Sequence, residues 1–525
     1  MSDLIKNSLI WRMCAAIGLW FGRCPFGRLF AFLGRLWRES ATYQLCARIL
    51  KAKPIAKDSV YGKRLNRINQ GLHRLGTGLR EALQGSALRR AYGAILRYFQ
   101  SSFLIGKLLE GGFTSILLII IAAYTPIDYF LRDGLQIEAI AGIWDEALMI
   151  VCLIWIVYQR MTSTKPLQGR ANSMDVYLGF YMIAGLALLT FCYTPHYFGV
   201  NLTGYRAAMQ YILLFFIVSR LIRNDDDFML MYKVMIAIAF LFALHGIYQF
   251  VVGVEIPAEW TDKAEDAVRT RVFSIFSNPN IMGAYMLLFA PMAIGMAYAT
   301  DDTATKVFYW FCGICMCLGC LFTMSRGAWL ALAIAAVLFA LIVDRRLFGL
   351  MVVAGIAACF LPFVRSRITY LFTPEFQESN ARAGRGKRWE TAFTYLDEYE
   401  RWDVGLGYGM FGGAVAAQNE INENFDYMYV DNYYVKLIVE NGIAGLCAFL
   451  TSIVGLLWNG IRACGRNSKN SYKPLCAGML AGLVGILVHS FFESLWEEPY
   501  MMALFFAIVG MLIYAGFFRK RAKRS

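Results

Sequence analysis

Charged residues are scarce in this chain. Only 17% of its 525 residues are Asp, Glu, Lys or Arg, whereas 58% are hydrophobic. A water-soluble globular protein carries much more charge, so the composition excludes that class and indicates a membrane protein. The apolar stretches are long and continuous, unlike the alternating segments of about ten residues that build a transmembrane β-barrel. We therefore expect an all-α polytopic membrane protein.

The cysteines provide no framework for disulfides. Thirteen are scattered along the chain, and none falls in the long segment 365–431, which argues against a disulfide-based fold. Cys312, Cys315, Cys317 and Cys320 form two CxxC spacings, but they lie within an apolar run without other polar residues. We interpret them as small packing residues and not as metal ligands. No metal or other cofactor is expected.

Twelve membrane spans are predicted, because a helix needs roughly 20 apolar residues to cross a bilayer core about 30 Å thick. Apolar runs of that size recur near 113–131, 136–158, 175–194, 203–222, 228–252, 278–299, 306–324, 327–343, 346–364, 432–459, 474–493 and 498–518. Basic residues concentrate in alternate connections, namely 159–172, 220–227, 344–346, 461–473 and the tail. By the positive-inside rule, these connections and both termini are cytoplasmic. The connections 193–203, 253–277 and 365–431 then face outward.

The predicted organisation has five parts. They are a basic N-terminal region 1–112, spans one to nine in 113–364, an extracytoplasmic loop 365–431, spans ten to twelve in 432–518, and a basic tail 519–525. The N-terminal region holds 19 Lys and Arg against 5 Asp and Glu, so the whole net charge of +14 lies there. Its basic residues alternate with apolar aromatic clusters, as in amphipathic helices that lie on anionic lipid. Nucleic-acid binding is not expected, because no binding motif accompanies the charge.

The loop 365–431 is long enough to be expected to have a function. Apolar residues at 389, 392, 393, 396 and 399 have helical spacing and predict an amphipathic helix along the membrane surface. The following DVGLGYGMFGGA is rich in glycine, which predicts tight backbone turns.

Several arginines occur on the side of the membrane where basic residues are normally rare. The loop is acidic as a whole, with 11 acidic residues against 7 basic ones, so the placement of individual arginines matters more than bulk charge. Arg326 is notable because it joins two apolar spans at the hydrocarbon boundary, where an unpaired charge is costly. Arginines bind multi-oxygen anions well, so a lipid-linked diphosphate is a candidate ligand. Solvation or pairing with nearby glutamates is the alternative for each of them. The outward arginines are Arg271, Arg326, Arg365, Arg367, Arg382, Arg385, Arg388 and Arg401. Of these, the candidates for site residues are Arg271, Arg326, Arg365, Arg385 and Arg388.

Other polar residues near the outward side have two interpretations each. Asp431 is either the cap of the next span or a catalytic base. Glu440 is either a site residue or the partner of Lys436, four positions earlier on the same helix face. His489 either packs or joins a polar network, and Asn278 either caps a span or lines a site.

Four motifs in order carry a family resemblance: SNPNIMGAY, TMSRGAWLA, AGRGKRWETA with VGLGYGMFGG, and DNYYVKLIVENGIAGL. Over about residues 113–518, the chain resembles the superfamily of O-antigen ligases and Wzy-type O-antigen polymerases. The resemblance implies a metal-independent GT-C type glycosyltransferase. Such an enzyme moves a glycan from undecaprenyl diphosphate to an acceptor sugar hydroxyl on the outer face of the bacterial inner membrane. It implies that Arg385 and Arg326 bind the diphosphate and stabilise the leaving group.

The chain departs from the family pattern at one position. Ligases of the family usually have His-Asn where this chain has Asp431-Asn432, and the histidine is their proposed base. An aspartate is normally a weaker base than a histidine. This difference favours a polymerase of repeat units over a ligase, and it leaves open a homologue with altered or lost activity. A ligase onto lipid A-core or another surface acceptor is the alternative. From other classes, a lipid or oligosaccharide transporter and a non-catalytic membrane scaffold remain open.

Overall fold

The computed structural model describes residues 59–82, 112–165, 167, 169–193, 195–255, 270–421 and 429–519. This part of the chain contains helices and no strands, which confirms the all-α prediction. Most of the predicted region 1–112 and of the tail 519–525 lies outside the described residues.

The α-helices are α1 Val60–Ala82, α2 Gly112–Ala122, α3 Tyr124–Tyr129, α4 Glu138–Ala141, α5 Trp144–Thr162, α6 Ser173–Phe191, α7 Phe198–Met209, α8 Ile212–Leu221, α9 Asp225–Val252, α10 Pro279–Ala299, α11 Thr303–Phe322, α12 Arg326–Ile342, α13 Leu347–Cys359, α14 Pro362–Tyr370, α15 Pro374–Ala383, α16 Arg385–Glu398, α17 Gly413–Gln418, α18 Tyr433–Arg466, α19 Tyr472–His489 and α20 Pro499–Ile513.

The described residues hold eight to ten candidate membrane spans. Eight helical stretches are long and apolar enough: Ser173–Phe191, Pro195–Leu221, Asp225–Val252, Pro279–Ala299, Thr303–Phe322, Tyr433–Arg466, Tyr472–His489 and Pro499–Phe518. Two further candidates are helix pairs, which bend by 70° in Gly112–Ala122 with Tyr124–Gly134 and by 84° in Leu347–Cys359 with Pro362–Tyr370. The chain is therefore a multi-pass membrane protein.

Each of the twelve predicted spans coincides with a helix or a bent pair, but the predicted number differs from the eight to ten candidates. The predicted span 327–343 is the short helix α12 of 17 residues. The predicted span 136–158 corresponds to α5, which carries Asp145, Glu146 and Arg160. Twelve crossings and their orientation stay a prediction.

By its contacts the chain forms two compact units. Among the residues that the structure describes, the first unit comprises those within 245–383 and 464–488, and the second those within 59–244, 384–463 and 489–519. In the described part of the first unit, α10 is the central helix and is buried along nearly all its length. Small residues let α19 approach it closely, since a Cβ at Gly478 or Gly482 would meet the α10 backbone.

In the second unit, α8 packs along α20, and α20 is buried throughout. The surface helix α1 packs on α5, where Arg160 Nε donates to Asn69 Oδ1 at 2.8 Å. Its other face exposes Ile68, Leu75 and Leu79. Exposed basic residues lie on the same helix, so α1 has the pattern predicted for a helix at a lipid surface.

The longest helix, α18, is broken near its start. Gly442 has φ 64° and ψ −170°, a conformation outside the helical region that glycine adopts without a Cβ penalty. The break frees two carbonyl groups, and both accept hydrogen bonds from the glycine-rich segment. Leu406 N donates to Val439 O and Gly407 N donates to Glu440 O, each at 2.8 Å.

The same segment satisfies the N–H groups after the break. Ile443 N donates to Trp402 O at 2.9 Å, and Ala444 N donates to Asp403 O at 3.0 Å. Gly405 has φ 73°, and a Cβ there would meet the α18 backbone. The predicted glycine-rich turns thus replace the hydrogen bonds that a continuous helix would make, as buried backbone groups require.

Candidate active site

Two arginines of α16 share one carboxylate in the second unit. Arg388 Nη1 donates to Asp431 Oδ2 at 2.8 Å, and Arg385 Nε lies 3.7 Å from the same oxygen. The side chains are partly exposed, at 27% for Arg388, 42% for Arg385 and 25% for Asp431. Two guanidinium groups and one carboxylate leave an excess positive charge, which attracts an anion.

Asp431 does not cap α18, which answers one question that the sequence left open. The cap is Asn432, whose Oδ1 accepts hydrogen bonds from Tyr434 N at 2.9 Å and Val435 N at 3.1 Å. Asp431 has φ 47°, in the left-handed region. A non-glycine residue pays a conformational cost there of about 1–3 kcal/mol, and such residues cluster at functional sites.

The predicted amphipathic helix exists as α16, and it holds the two arginines in place. Ala392 and Leu396 are completely buried in an apolar cluster with Val430 and neighbouring residues of α18. Trp389 packs against this cluster, and its Nε1 donates to Val430 O at 2.8 Å. Tyr399, the last predicted apolar position, is instead 57% exposed. The apolar face therefore packs on protein along most of the helix, which fixes the arginines beside Asp431.

The turn after α19 completes the surroundings of Arg385. Arg385 Nη2 donates to Phe492 O at 3.0 Å. Ser490 O accepts from Tyr433 N at 2.9 Å and thereby ties the turn to the start of α18. His489 is fully buried at this turn, and neither of its ring nitrogens has a hydrogen-bond partner among the described residues. The described contacts therefore do not include His489 in a polar network, which was one of its two interpretations.

A buried ion-pair cluster lies further along α18. Glu440 pairs with Lys436 at 3.7 Å, as the sequence predicts. Lys436 also contacts the Glu497 carboxylate and donates to Gly412 O at 3.2 Å. Gly413 has φ 74°, and a Cβ there would meet Glu497 and Lys436. Sequence reasoning missed Glu497, because it is 61 positions from its partner.

A second group of arginines converges on one turn of the first unit, between α11 and α12. Arg271 is buried, and its Nε donates to Thr323 O at 3.1 Å. Arg367 is also buried and donates through two nitrogens to Met324 O, at 2.8 and 3.1 Å. Arg326 Nη1 donates to Arg367 O at 3.4 Å. Three arginines thus surround this turn, and Arg367 is one that the sequence reasoning did not select.

The remaining candidates of the first unit have simpler environments. Asn278 caps α10, where its side chain accepts from Asn280 N at 2.8 Å. Asn280 in turn accepts from Arg271 Nη2 at 3.2 Å. The side chain of Arg365 is exposed. The structure therefore brings Arg271 and Arg326 to the same turn. Asn278 is the N-cap of α10.

The arrangement of α16, Asp431 and the broken helix α18 defines a class of protein: a multi-pass membrane protein with an arginine–carboxylate site at the start of a span. Residues 311–450 match the family model described as O-antigen ligase. This match confirms the resemblance to the O-antigen ligase and polymerase superfamily for that part of the chain. The matched range includes Arg326, Arg385, Arg388, Asp431 and Glu440. No curated protein matches the chain.

The family match indicates the general activity. Members are glycosyltransferase-like ligases and polymerases, which implies a lipid-linked glycan and an acceptor as substrates. Within the described residues, no group of three or more His, Cys, Asp or Glu side chains is arranged to hold a metal ion. The family match over residues 311–450 indicates an O-antigen ligase-type function.

Proposed function

We propose that the protein is a bacterial inner-membrane glycosyltransferase. It transfers a glycan from undecaprenyl diphosphate to the hydroxyl of an acceptor sugar on the outer face of the membrane. The observation that carries this proposal is the convergence of Arg385 and Arg388 on the Asp431 carboxylate. Arginine forks bind phosphate oxygens through paired N–H bonds and keep their charge in poorly hydrated places.

The same three residues can perform the transfer. The acceptor hydroxyl attacks the anomeric carbon, a new glycosidic bond forms, and the bond from that carbon to the phosphate oxygen breaks. The electron pair stays on the leaving diphosphate, where the guanidinium groups of Arg385 and Arg388 stabilise the added charge. Asp431 accepts the proton of the attacking hydroxyl.

Donor binding also changes the state of Asp431. Without a donor, the Arg388 guanidinium donates a hydrogen bond to this carboxylate at 2.8 Å and occupies one of its oxygens. A diphosphate that takes over the arginine N–H groups releases the carboxylate. The carboxylate is then free to accept a proton only when the donor is bound.

Two acceptors have specific support. Ligation to a surface acceptor such as lipid A-core is the first candidate, because the matched family is described as O-antigen ligase. Polymerisation of repeat units is the second, because Asp431 stands where ligases usually have a histidine. The N-terminal helix α1 fits either activity, as a basic amphipathic element on the anionic cytoplasmic leaflet.

The glycan profile of a strain that lacks the protein separates these candidates. Loss of all attached glycan identifies a ligase, whereas loss of long chains with single repeats still attached identifies a polymerase. An unchanged profile would contradict both. Purified protein incubated with the lipid-linked donor and an acceptor tests the class, since a transporter or a scaffold forms no new glycosidic bond.

A further inference from the structure

A cavity of about 140 Å³ lies inside the second unit, beside the break in α18. Its wall includes Lys436, Glu440 and Asn441 from the helix before the break. Tyr408 and Gly409 of the glycine-rich segment form another side, and the start of α20 and the end of α7 close it. All of these elements belong to one compact unit.

The lining combines charged, amide and aromatic groups. Glu440 and Glu497 supply carboxylate acceptors, and Lys436 supplies a donor between them. Tyr433 and Trp496 supply aromatic surface, with ring centroids 5.6 Å apart. A sugar ring presents hydroxyl groups that both donate and accept, together with apolar C–H groups. This lining offers a partner for each of those groups.

Tyr408 is an aromatic part of this lining, and its side chain is only 2% exposed. Its hydroxyl oxygen lies close to Gly185 of α6.

The size of the cavity limits the ligand to one ring. An apolar cavity of about 150 Å³ accommodates benzene, a six-membered ring, whereas drug-sized ligands occupy pockets of about 300–1,000 Å³. A single pyranose ring is therefore close to the largest ligand that this cavity can hold.

The energetic cost of this arrangement argues against a packing defect. The side chains of Lys436 and Glu440 are only 11% and 9% exposed, and Glu497 is 20% exposed. Buried charges within a membrane protein are expensive and typically mark a substrate path or site. Backbone that departs from the helix at membrane depth is tolerated where it is buried or lines a cavity.

We propose that this cavity binds one sugar ring of the transferred or accepting glycan. The lining presents two carboxyl groups and one ammonium group, so the hydroxyl or amino groups of a neutral or amino sugar suit it better than the carboxylate of a uronic acid. The inference rests on the proposed function, since it names the substrate group that the protein holds in addition to the diphosphate.

Binding of the strain's own repeat-unit oligosaccharide, released from its lipid, tests this site. The full chain is purified in detergent, and saturation-transfer NMR measures the dissociation constant. Ala208 lines the cavity, so Ala208→Leu fills it. Gly199 lies on the same helix α7, and a Cβ there meets open space. Gly199→Leu is therefore the matched control, since it adds bulk outside the cavity.

We expect at least tenfold weaker binding for Ala208→Leu and unchanged binding for Gly199→Leu. Glu440→Gln, which preserves shape, should also weaken binding at least tenfold if it folds as the wild type does. Wild-type affinity in both Ala208→Leu and Glu440→Gln would overturn the proposal, as would failure of the wild-type protein to bind the oligosaccharide.

A further variant separates this site from the proposed reaction. Arg388→Ala should retain oligosaccharide binding and lose transfer, because its guanidinium contacts Asp431 and is not part of the cavity wall. Oligosaccharide binding by a wild-type protein that forms no glycosidic bond would contradict the transferase alone. Transfer that is insensitive to Ala208→Leu and Glu440→Gln would contradict the sugar site alone.

Discussion

Arg388 and Asp431 are 43 positions apart in the chain and are joined by a hydrogen-bonded ion pair of 2.8 Å. The pair connects α16, in the long loop, with the residue immediately before the cap of α18. Both partners are held independently, Arg388 by the apolar face of its helix and Asp431 by the Asn432 cap that follows it. The geometry is therefore set before any ligand binds, which is the condition for effective electrostatic stabilisation.

Removal of the Arg388 guanidinium tests the anion site. We expect Arg388→Ala to reduce transfer by roughly 100- to 1,000-fold, the usual effect of removing one preorganised donor. Arg388→Lys should rescue little, because a lysine lacks the planar fork. Lys387→Ala is the control on the same turn, since Lys387 pairs with the exposed Glu390 at 3.2 Å. Glycan transfer by purified protein is the measurement, and wild-type rates in Arg388→Ala would exclude this arginine from the site.

Neutralisation of Asp431 tests the base. Asn has the same shape and tolerates the left-handed backbone, so Asp431→Asn should fold normally. If the carboxylate takes the proton, transfer should fall by roughly 100-fold or more. Asp403→Asn, at an exposed carboxylate of the same loop, should transfer at the wild-type rate. Full activity of Asp431→Asn would leave Asp431 with a structural role only.

Substitution at the break of α18 tests the fold around the cavity. A Cβ at Gly442 would run into the backbone of Asp403, and φ is 64°. We expect Gly442→Ala to lower the free energy of unfolding by at least about 2 kcal/mol, since a left-handed residue with a side chain is strained and the backbone cannot move aside.

The control for that change is Gly465→Ala in the same helix. No atom lies within 4 Å of a Cβ at Gly465, so this substitution should be neutral or stabilise by up to about 1 kcal/mol. Thermal unfolding in detergent measures both variants. Equal stability of the two would show that α18 does not need the break.

Local patterns predicted the helices of this protein well. The apolar spacing from 389 to 399 identified α16, and the SNPN motif identified the cap at Asn278. These features depend on residues within a few positions of one another. The cap of α18 was harder to place, because Asp431 and Asn432 are both good capping residues.

Long-range pairing could not be predicted from the sequence. The predicted span 432–459 runs through Gly442, where the helix breaks, and Leu406 and Gly407 supply substitute hydrogen bonds there. The contact of Lys436 with Glu497 likewise joins residues that no local pattern connects. The sequence could therefore only offer candidate residues one at a time, whereas the contacts between them required the structure.

Arg326 offers a test of the first unit. Its guanidinium lies 5.4 Å from the Phe376 ring centroid and donates a hydrogen bond to the Arg367 carbonyl. Some of its contacts are therefore made within the protein. If it also binds the diphosphate of the donor, Arg326→Ala should lower transfer at least tenfold while the amount of protein in the membrane stays normal.

Two comparisons decide whether such a loss is specific to Arg326. Arg367→Ala leaves the Met324 carbonyl without its donors, and it should lower the amount of folded protein because a buried acceptor loses its partner. Arg345→Ala changes an exposed arginine in the turn before α13 and should change neither quantity. Immunoblots of membranes measure the protein, and the glycan profile measures transfer. If Arg326→Ala lowers the amount of protein and the amount of transferred glycan in parallel, as expected for Arg367→Ala, Arg326 stabilises the turn. If only the transferred glycan is lost, Arg326 acts on the donor.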